Sequence, residues 1–242
     1  MLHKLLKRLK PNNKLSDPFI KRLRSLVIGE GMLKPGNIRS MDIAIQQMPE
    51  NGSVIEIGSY GGLSANLLIH LMSKYARSNP FYTCDAWIYE GYTDHLKDVP
   101  ETHIDGRPDV PRSAYATYMM QAFIQSTTLL SSHRLPYSFH MRSEDFFNAW
   151  NAGKTETDVF GRTRQLGGDI AFAYIDGGHS YAVARSDFNH VASHLLVGGF
   201  ILLDDSADDD QFGSATMMSE IKKDNRFKVV AKNPNYLIQK IG

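Results

Sequence analysis

Five acidic residues occupy places in this chain where a carboxylate is expensive to keep. Residues 54–62 read VIEIGSYGG: a β-favouring run with Glu56 inside it, then a turn containing Gly58, Gly61 and Gly62 that leads into the helical pattern LSANLLIHLM. The apolar run FYTCD ends in Asp85, IAFAYIDGG carries Asp176, and GGFILLDD ends in Asp204 and Asp205. One such Asp could simply cap the helix that follows it. Four on one rim, Asp85, Asp176, Asp204 and Asp205, point instead to a ligand site. In sheets whose strands run parallel, strand-end loops and helix N-termini converge there.

The glycine turn narrows the ligand. A dinucleotide fingerprint needs G-x-G-x-x-G, but Gly58 is followed by Ser59 and Tyr60, so the second glycine is missing. No Walker lysine follows either. The pattern present is E-x-G-x-x-x-G, Glu56 to Gly62, with an acid beneath the turn. An acid repels phosphate and suits a ligand that carries an ammonium and a sulfonium. The turn therefore predicts a ligand that is cationic at this end.

These residues need strands and helices to position them. The sequence predicts helices at FIKRLRSLV and NIRSMDIAIQQM, then strand, glycine turn and helix over VIEIG, SYGG and LSANLLIHLMSKYA. Further strands are FYTCDAW, PYSFH, IAFAYI and GGFILL, and helices are expected at SAYATYMMQAFIQSTTLL, after Ser143, at SYAVARSDFNHVASHLL and at MMSEIKKD. FKVVA and YLIQKI close the chain as β-like runs. Apolar strands without polar alternation, interleaved with helices, imply a mostly parallel sheet covered on both faces: a doubly wound, Rossmann-like α/β fold. Residues 88–112 lack sustained periodicity and read as a lid or acceptor loop. Residues 151–168 read as a polar surface excursion.

Composition bounds the rest. At 242 residues the chain suits one large domain, taken as 49–242, with 1–48 as a basic helical appendage. A net charge of +1 gives no global field that calls for nucleic acid. The single cysteine, Cys84, excludes an internal disulfide framework and fits a reducing, cytoplasmic setting. No apolar run suggests a transmembrane segment. The N-terminal stretch MLHKLLKRLK places Leu2, Leu5, Leu6 and Leu9 at helical spacing among basic residues. It reads first as an arm packing on its own domain or on a second copy in a homo-oligomer, and second as a weak membrane-surface contact.

EIGSYGGLS, YIDGGHSY and GGFILLDD together resemble the class I S-adenosylmethionine-dependent methyltransferases, over roughly residues 50–206. More narrowly they resemble the metal-dependent O-methyltransferases of the catechol and macrocin-type sugar branches, with the last two motifs closest to the sugar branch. The resemblance implies a seven-stranded sheet whose last strand is antiparallel. It implies S-adenosylmethionine held by Glu56, Gly58, Ser59, Tyr60, Gly62 and Ser64 at its methionine end, by Asp85 at its ribose hydroxyls, and by Ser143 and Glu144 at its adenine. Asp176, which also borders the cofactor, would join Asp204 and Asp205 in binding Mg2+, an ion that prefers oxygen ligands. His179, three residues after Asp176, takes the place of the catalytic base, and Asp176 is implied to be catalytic alongside it. Some sugar enzymes put an acidic base where this chain has Gly178.

The implied reaction is methylation of a sugar, glycan or secondary-metabolite hydroxyl, with a catechol-type phenol as the alternative acceptor. Two other readings stand beside it: a cofactor-binding scaffold without catalysis, and a hydroxylase-like relative, for which the sequence offers no His/His/acid iron set. Trp87, Tyr89 and Tyr92 read equally as acceptor-pocket walls and as core. Asp208–Asp210 read as a solvated loop, and His95 and His103 carry no metal-ligand spacing.

Overall fold

The computed structural model describes residues 33–88, 103–104, 107–208 and 210–242. The elements in chain order are α1 (Pro35–Gln47), β1 (Ser53–Ile57), α2 (Leu63–Lys74), β2 (Phe81–Asp85), β3 (His103–Ile104), β4 (Arg107–Pro111), α3 (Arg112–Ser131), β5 (Tyr137–His140), α4 (Ser143–Asn151), β6 (Thr155–Thr157), β7 (Thr163–Gln165), β8 (Ile170–Ile175), α5 (Tyr181–His194), β9 (Leu195–Leu203), α6 (Gly213–Ile221), β10 (Phe227–Lys232) and β11 (Tyr236–Lys240). Seven of the strands form one sheet in the order β10-β11-β9-β8-β1-β2-β5. All neighbours from β9 to β5 pair in parallel, whereas β11, the last strand in the chain, runs antiparallel to both β9 and β10. This is the doubly wound Rossmann-like arrangement expected from the apolar runs.

The strands are apolar throughout because each face meets its own core. Val54, Phe172, Tyr174, Phe200 and Leu202 point into a cluster shared with α1, α2 and α3. Their neighbours Ile55, Ile57, Ala173, Ile175, Ile201 and Leu203 point into a second cluster with α4, α5 and α6. That is the period-2 alternation of a strand with two buried faces. α1 contributes Ile38, Met41, Ala44 and Ile45 to the first cluster, so this part of the 1–48 segment is packed into the core rather than appended to it.

Three details differ from the sequence reading. Leu195 and Leu196 belong to β9 and not to the end of α5; Leu195 pairs with Ile170, and burying it against β8 outweighs one more half-turn of helix. The polar stretch 151–168 folds into the antiparallel hairpin β6–β7. Part of the 88–112 segment is likewise a hairpin, β3–β4. The helices expected in residues 1–32, together with Tyr89, Tyr92, His95 and Asp209, lie outside the described residues.

Parallel pairing brings one end of every central strand to the same rim. Ile57 pairs with Cys84 and Ile175, Asp85 with His140, and Ile175 with Leu203. The residues after β1, β2, β5, β8 and β9 are therefore neighbours in space although they are far apart in the sequence.

Candidate active site

The turn after β1 is shaped by backbone rather than by side chains. Gly58 and Gly62 sit at φ 85° and 91°, a region that glycine enters without strain. A methyl group on Gly58 would lie 2.0 Å from the carbonyl oxygen of Asp176, so the turn after β1 and the turn after β8 touch only because that side chain is missing. Gly62 N–H donates to Ser59 O, and Ser126 of α3 donates its hydroxyl to Gly61 O, which pins the turn from outside. Tyr60 (φ 44°), Trp87 (φ 46°) and Asp205 (φ 49°) also adopt the left-handed conformation, unusual for residues with side chains. All three follow strand ends on this rim, where strain often accompanies function.

Glu56 lies under this turn, fully buried, between Thr83 of β2 and Tyr174 of β8 in register. Neither carboxylate oxygen has a well-formed hydrogen bond, although the Ser64 and Ser59 hydroxyls stand close enough to act on it. Burial pushes its pKa up to about 8; the hydroxyls of Ser64 and Ser59 offset part of that rise, and the nearby Asp85 adds to it. A buried carboxylate without a partner costs free energy unless a cation arrives to meet it. A cavity of about 40 Å3 opens at the turn above it, bounded by Leu33, Gly58, Ser59, Tyr60, Ser64 and Asp176. The buried acid and the buried Ser59 hydroxyl, neither with a well-formed hydrogen bond, together with the glycine cradle fit the methionine end of S-adenosylmethionine.

Asp85, at the end of β2, is engaged by the same turn. Its Oδ2 accepts the N–H groups of Ser59 and Tyr60, both at 2.8 Å, and its Oδ1 accepts Trp87 N–H at 2.6 Å. Burial raises its pKa, and these three amides oppose the rise. Trp87 is core: its ring is buried, packs 5.4 Å from Phe123 and donates its N–H to Tyr60 O. Ser143 and Glu144 begin α4 beyond β5, on the same rim. Glu144 is exposed, whereas the Ser143 hydroxyl faces Asp187 of α5. Asp187 carries no motif that singles it out in the sequence. It is buried with Oδ2 unpartnered, and burial raises its pKa to about 6.

The other acids form a linked group. Tyr174 places its hydroxyl 2.8 Å from Asp176 Oδ2 and 2.7 Å from Asp204 Oδ2. A hydroxyl has one proton, so only one of these contacts can be its donation; the other requires a protonated carboxyl. Burial and the adjacent Asp204 charge push the Asp176 pKa well above the usual carboxylate range. Asp204 Oδ1 accepts from Asn37 at 2.9 Å, from Asn235, and from the Asp205 N–H. Asp205 receives the Lys34 ammonium at Oδ1, 2.8 Å away, and lies 3.1 Å through Oδ2 from Nδ1 of His179. Asp205 keeps a lowered pKa: burial works against its charge, but His179 and Lys34 outweigh burial.

Asp176, Asp204 and Asp205 are thus brought together, but not as an open set of metal ligands. Asp176 Oδ2 and the oxygens of Asp204 and Asp205 are engaged by Tyr174, Asn37, Asn235, Lys34 and His179, and among the described residues no group of three His, Cys, Asp or Glu side chains has metal-binding geometry. The Mg2+ site implied by resemblance does not fit this arrangement. The physical reason is Lys34, a cation that reaches the rim from the opposite end of the sequence. Asp210, expected in a solvated loop, shares the same ammonium at 3.2 Å.

His179 follows Gly177 and Gly178 and is backed by Phe212, with ring centroids 4.9 Å apart. Its Nδ1 faces the Asp205 carboxylate, an acid–imidazole pairing of the kind that orients a general base. Ser180 caps α5 by accepting Val183 N–H and fixes the turn that presents His179. A larger concavity, about 460 Å3, is lined by Trp150, Gly153, Arg164 and Gly168 at the opposite end of the sheet. It contains none of these groups.

The sequence matches the methyltransferase domain family over residues 55–206, and the chain belongs to that family. It is an S-adenosylmethionine-dependent methyltransferase. Several solved structures share the fold. The calicheamicin methyltransferase CalS11 aligns with a TM-score of 0.57 at 16% identity, covering 92% of this chain and 91% of that one. The O-methyltransferase NovP aligns at 0.53 and 12% identity, covering 87% and 81%. The O-methyltransferase TomG from Streptomyces achromogenes, involved in tomaymycin synthesis and solved with SAM, aligns at 0.52 and 9% identity, covering 93% and 96%. A search of curated proteins gives no match. No helix among the described residues is long and apolar enough to cross a membrane.

Proposed function

We propose that this chain methylates a hydroxyl group of a sugar, glycan or secondary metabolite. The observation that carries the reading is the His179–Asp205 pair, 3.1 Å apart, on the same rim as the cradle over the buried Glu56. The names of NovP and TomG as O-methyltransferases support the choice of oxygen as the acceptor. S-adenosylmethionine supplies an electrophilic methyl group on a sulfonium. The chain's own residues do the rest. Glu56 pairs with the ammonium, Asp85 exchanges part of its amide contacts for the ribose hydroxyls, and Ser143 and Glu144 border the adenine. His179 takes the acceptor's proton at Nε2 as oxygen attacks, while Asp205 steadies the imidazolium that forms. Holding both reactants in line supplies much of the acceleration, up to roughly 7–11 kcal/mol.

Mg2+ enters this reading only if it displaces Lys34 from the acidic rim. A labelled-methyl screen over sugars and phenols, run with and without EDTA, tests acceptor and metal together. His179→Ala is expected to lower kcat about 100-fold or more with S-adenosylhomocysteine affinity unchanged. Full turnover by this variant would remove His179 as the base. The expected homo-oligomer would use α3, whose solvent face from Ser113 to Leu129 has no charged residue and exposes Tyr118 and Leu129. The buried free thiol of Cys84 agrees with a reducing, cytoplasmic setting.

A further inference from the structure

We propose that Lys34 is the resident counter-cation of the acidic rim and excludes a divalent ion from it. Leu33 is buried in the core and Pro35 starts α1, so Lys34 is held between a packed residue and a rigid helix end. Three residues on, Asn37 lies on the same face of that helix. The two side chains reach consecutive acids: Lys34 Nζ meets Asp205 Oδ1 at 2.8 Å and Asn37 Nδ2 meets Asp204 Oδ1 at 2.9 Å. Lys34 also takes in Asp210 Oδ2 at 3.2 Å, so one ammonium ties together two carboxylates of the rim.

A divalent ion needs the same lone pairs. Mg2+ sits at about 2.0–2.1 Å from its oxygen ligands and requires near-octahedral geometry. An ammonium already seated on Asp205 blocks that approach sterically and repels the ion. Asn37 and Asn235 compete in a milder way, since they donate to Asp204 but carry no charge. The positive charge is therefore the decisive element, and it comes from a lysine 171 positions from Asp205, in the 1–48 segment that reads as a basic helical appendage.

The test is a Mn2+ titration of the full chain followed by electron paramagnetic resonance of the free ion, which needs neither cofactor nor turnover. Lys34→Gln keeps the polar reach and removes the charge. It is expected to bind Mn2+ at least tenfold more tightly than the unsubstituted chain, whereas Lys34→Arg stays at or below the unsubstituted affinity. Adding Asp205→Asn to Lys34→Gln should abolish the gain. Equal Mn2+ affinity in the unsubstituted chain and Lys34→Gln, including no binding by either, overturns the proposal. So does a gain that survives Asp205→Asn, because the new site would then lie elsewhere. Lys34→Met replaces Lys34→Gln if the latter does not fold. S-adenosylhomocysteine titration of the same samples reports on the methyltransferase reading separately.

Discussion

Binding of S-adenosylhomocysteine should release a proton from Glu56. In the ligand-free protein this buried acid has a pKa of about 8 against an ordinary value near 4.5, because burial penalises its charged form. At pH 7 about nine molecules in ten then hold the proton. An ammonium placed against the carboxylate favours the charged form, so binding at pH 7 should expel about 0.9 proton per molecule. Calorimetry at pH 7 in buffers of different ionisation enthalpy measures this as a change in apparent binding heat. Affinity should rise roughly tenfold per pH unit as pH approaches 8, then level off.

The same shift fixes a stability trend in the free protein, with its sign. The folded pKa lies above the unfolded one, so between about pH 4.5 and 8 the unfolded chain ionises while the folded chain does not. Glu56 thus lowers stability as pH rises through that window, by about 3 kcal/mol at pH 7. Glu56→Gln should remove this slope and raise Tm at pH 7, while weakening S-adenosylhomocysteine about 10- to 100-fold through loss of a charged contact. Binding heats that do not vary with the buffer at pH 7 would refute the reasoning. So would a Glu56→Gln variant that binds as tightly as the unsubstituted chain.

Three further outcomes are expected. Gly58→Ala forces a methyl group to within 2.0 Å of the Asp176 carbonyl oxygen at φ 85°. It should lose more than about 2 kcal/mol of stability in urea, whereas Gly161→Ala, with open space around it, should lose about 1 kcal/mol. Asp85→Ala strips the acceptor from three backbone N–H groups. It should weaken S-adenosylhomocysteine at least tenfold in calorimetry and lower Tm as well. Asp187→Asn should stabilise the protein at pH 7 by up to about 3 kcal/mol, because the buried acid is held at about 6 against an ordinary 3.8 and is disfavoured once ionised. Urea denaturation should show the advantage vanish below pH 4, and an equal effect at pH 4 and pH 7 would contradict this origin.

Much of this protein is legible in its amino-acid sequence. The unbroken apolar runs around Ile55, Phe172 and Ile201 specify strands buried on both faces, because a half-exposed strand would alternate. The spacing of Glu56, Gly58 and Gly62 specifies a turn with an acid beneath it, because only glycine enters the left-handed conformation freely there. These are local facts, written within a few residues of one another, and they are enough to predict the fold and the glycine turn over a buried acid. Tertiary structure decides the state of the acidic rim. No local pattern shows that Tyr174 links Asp176 to Asp204, that Asn235 returns on the last hairpin to Asp204, or that Lys34 reaches Asp205. Each of these contacts joins side chains that only the strand order and the packing of α1 bring together. A carboxylate's charge state depends on those neighbours and not on its place in the chain.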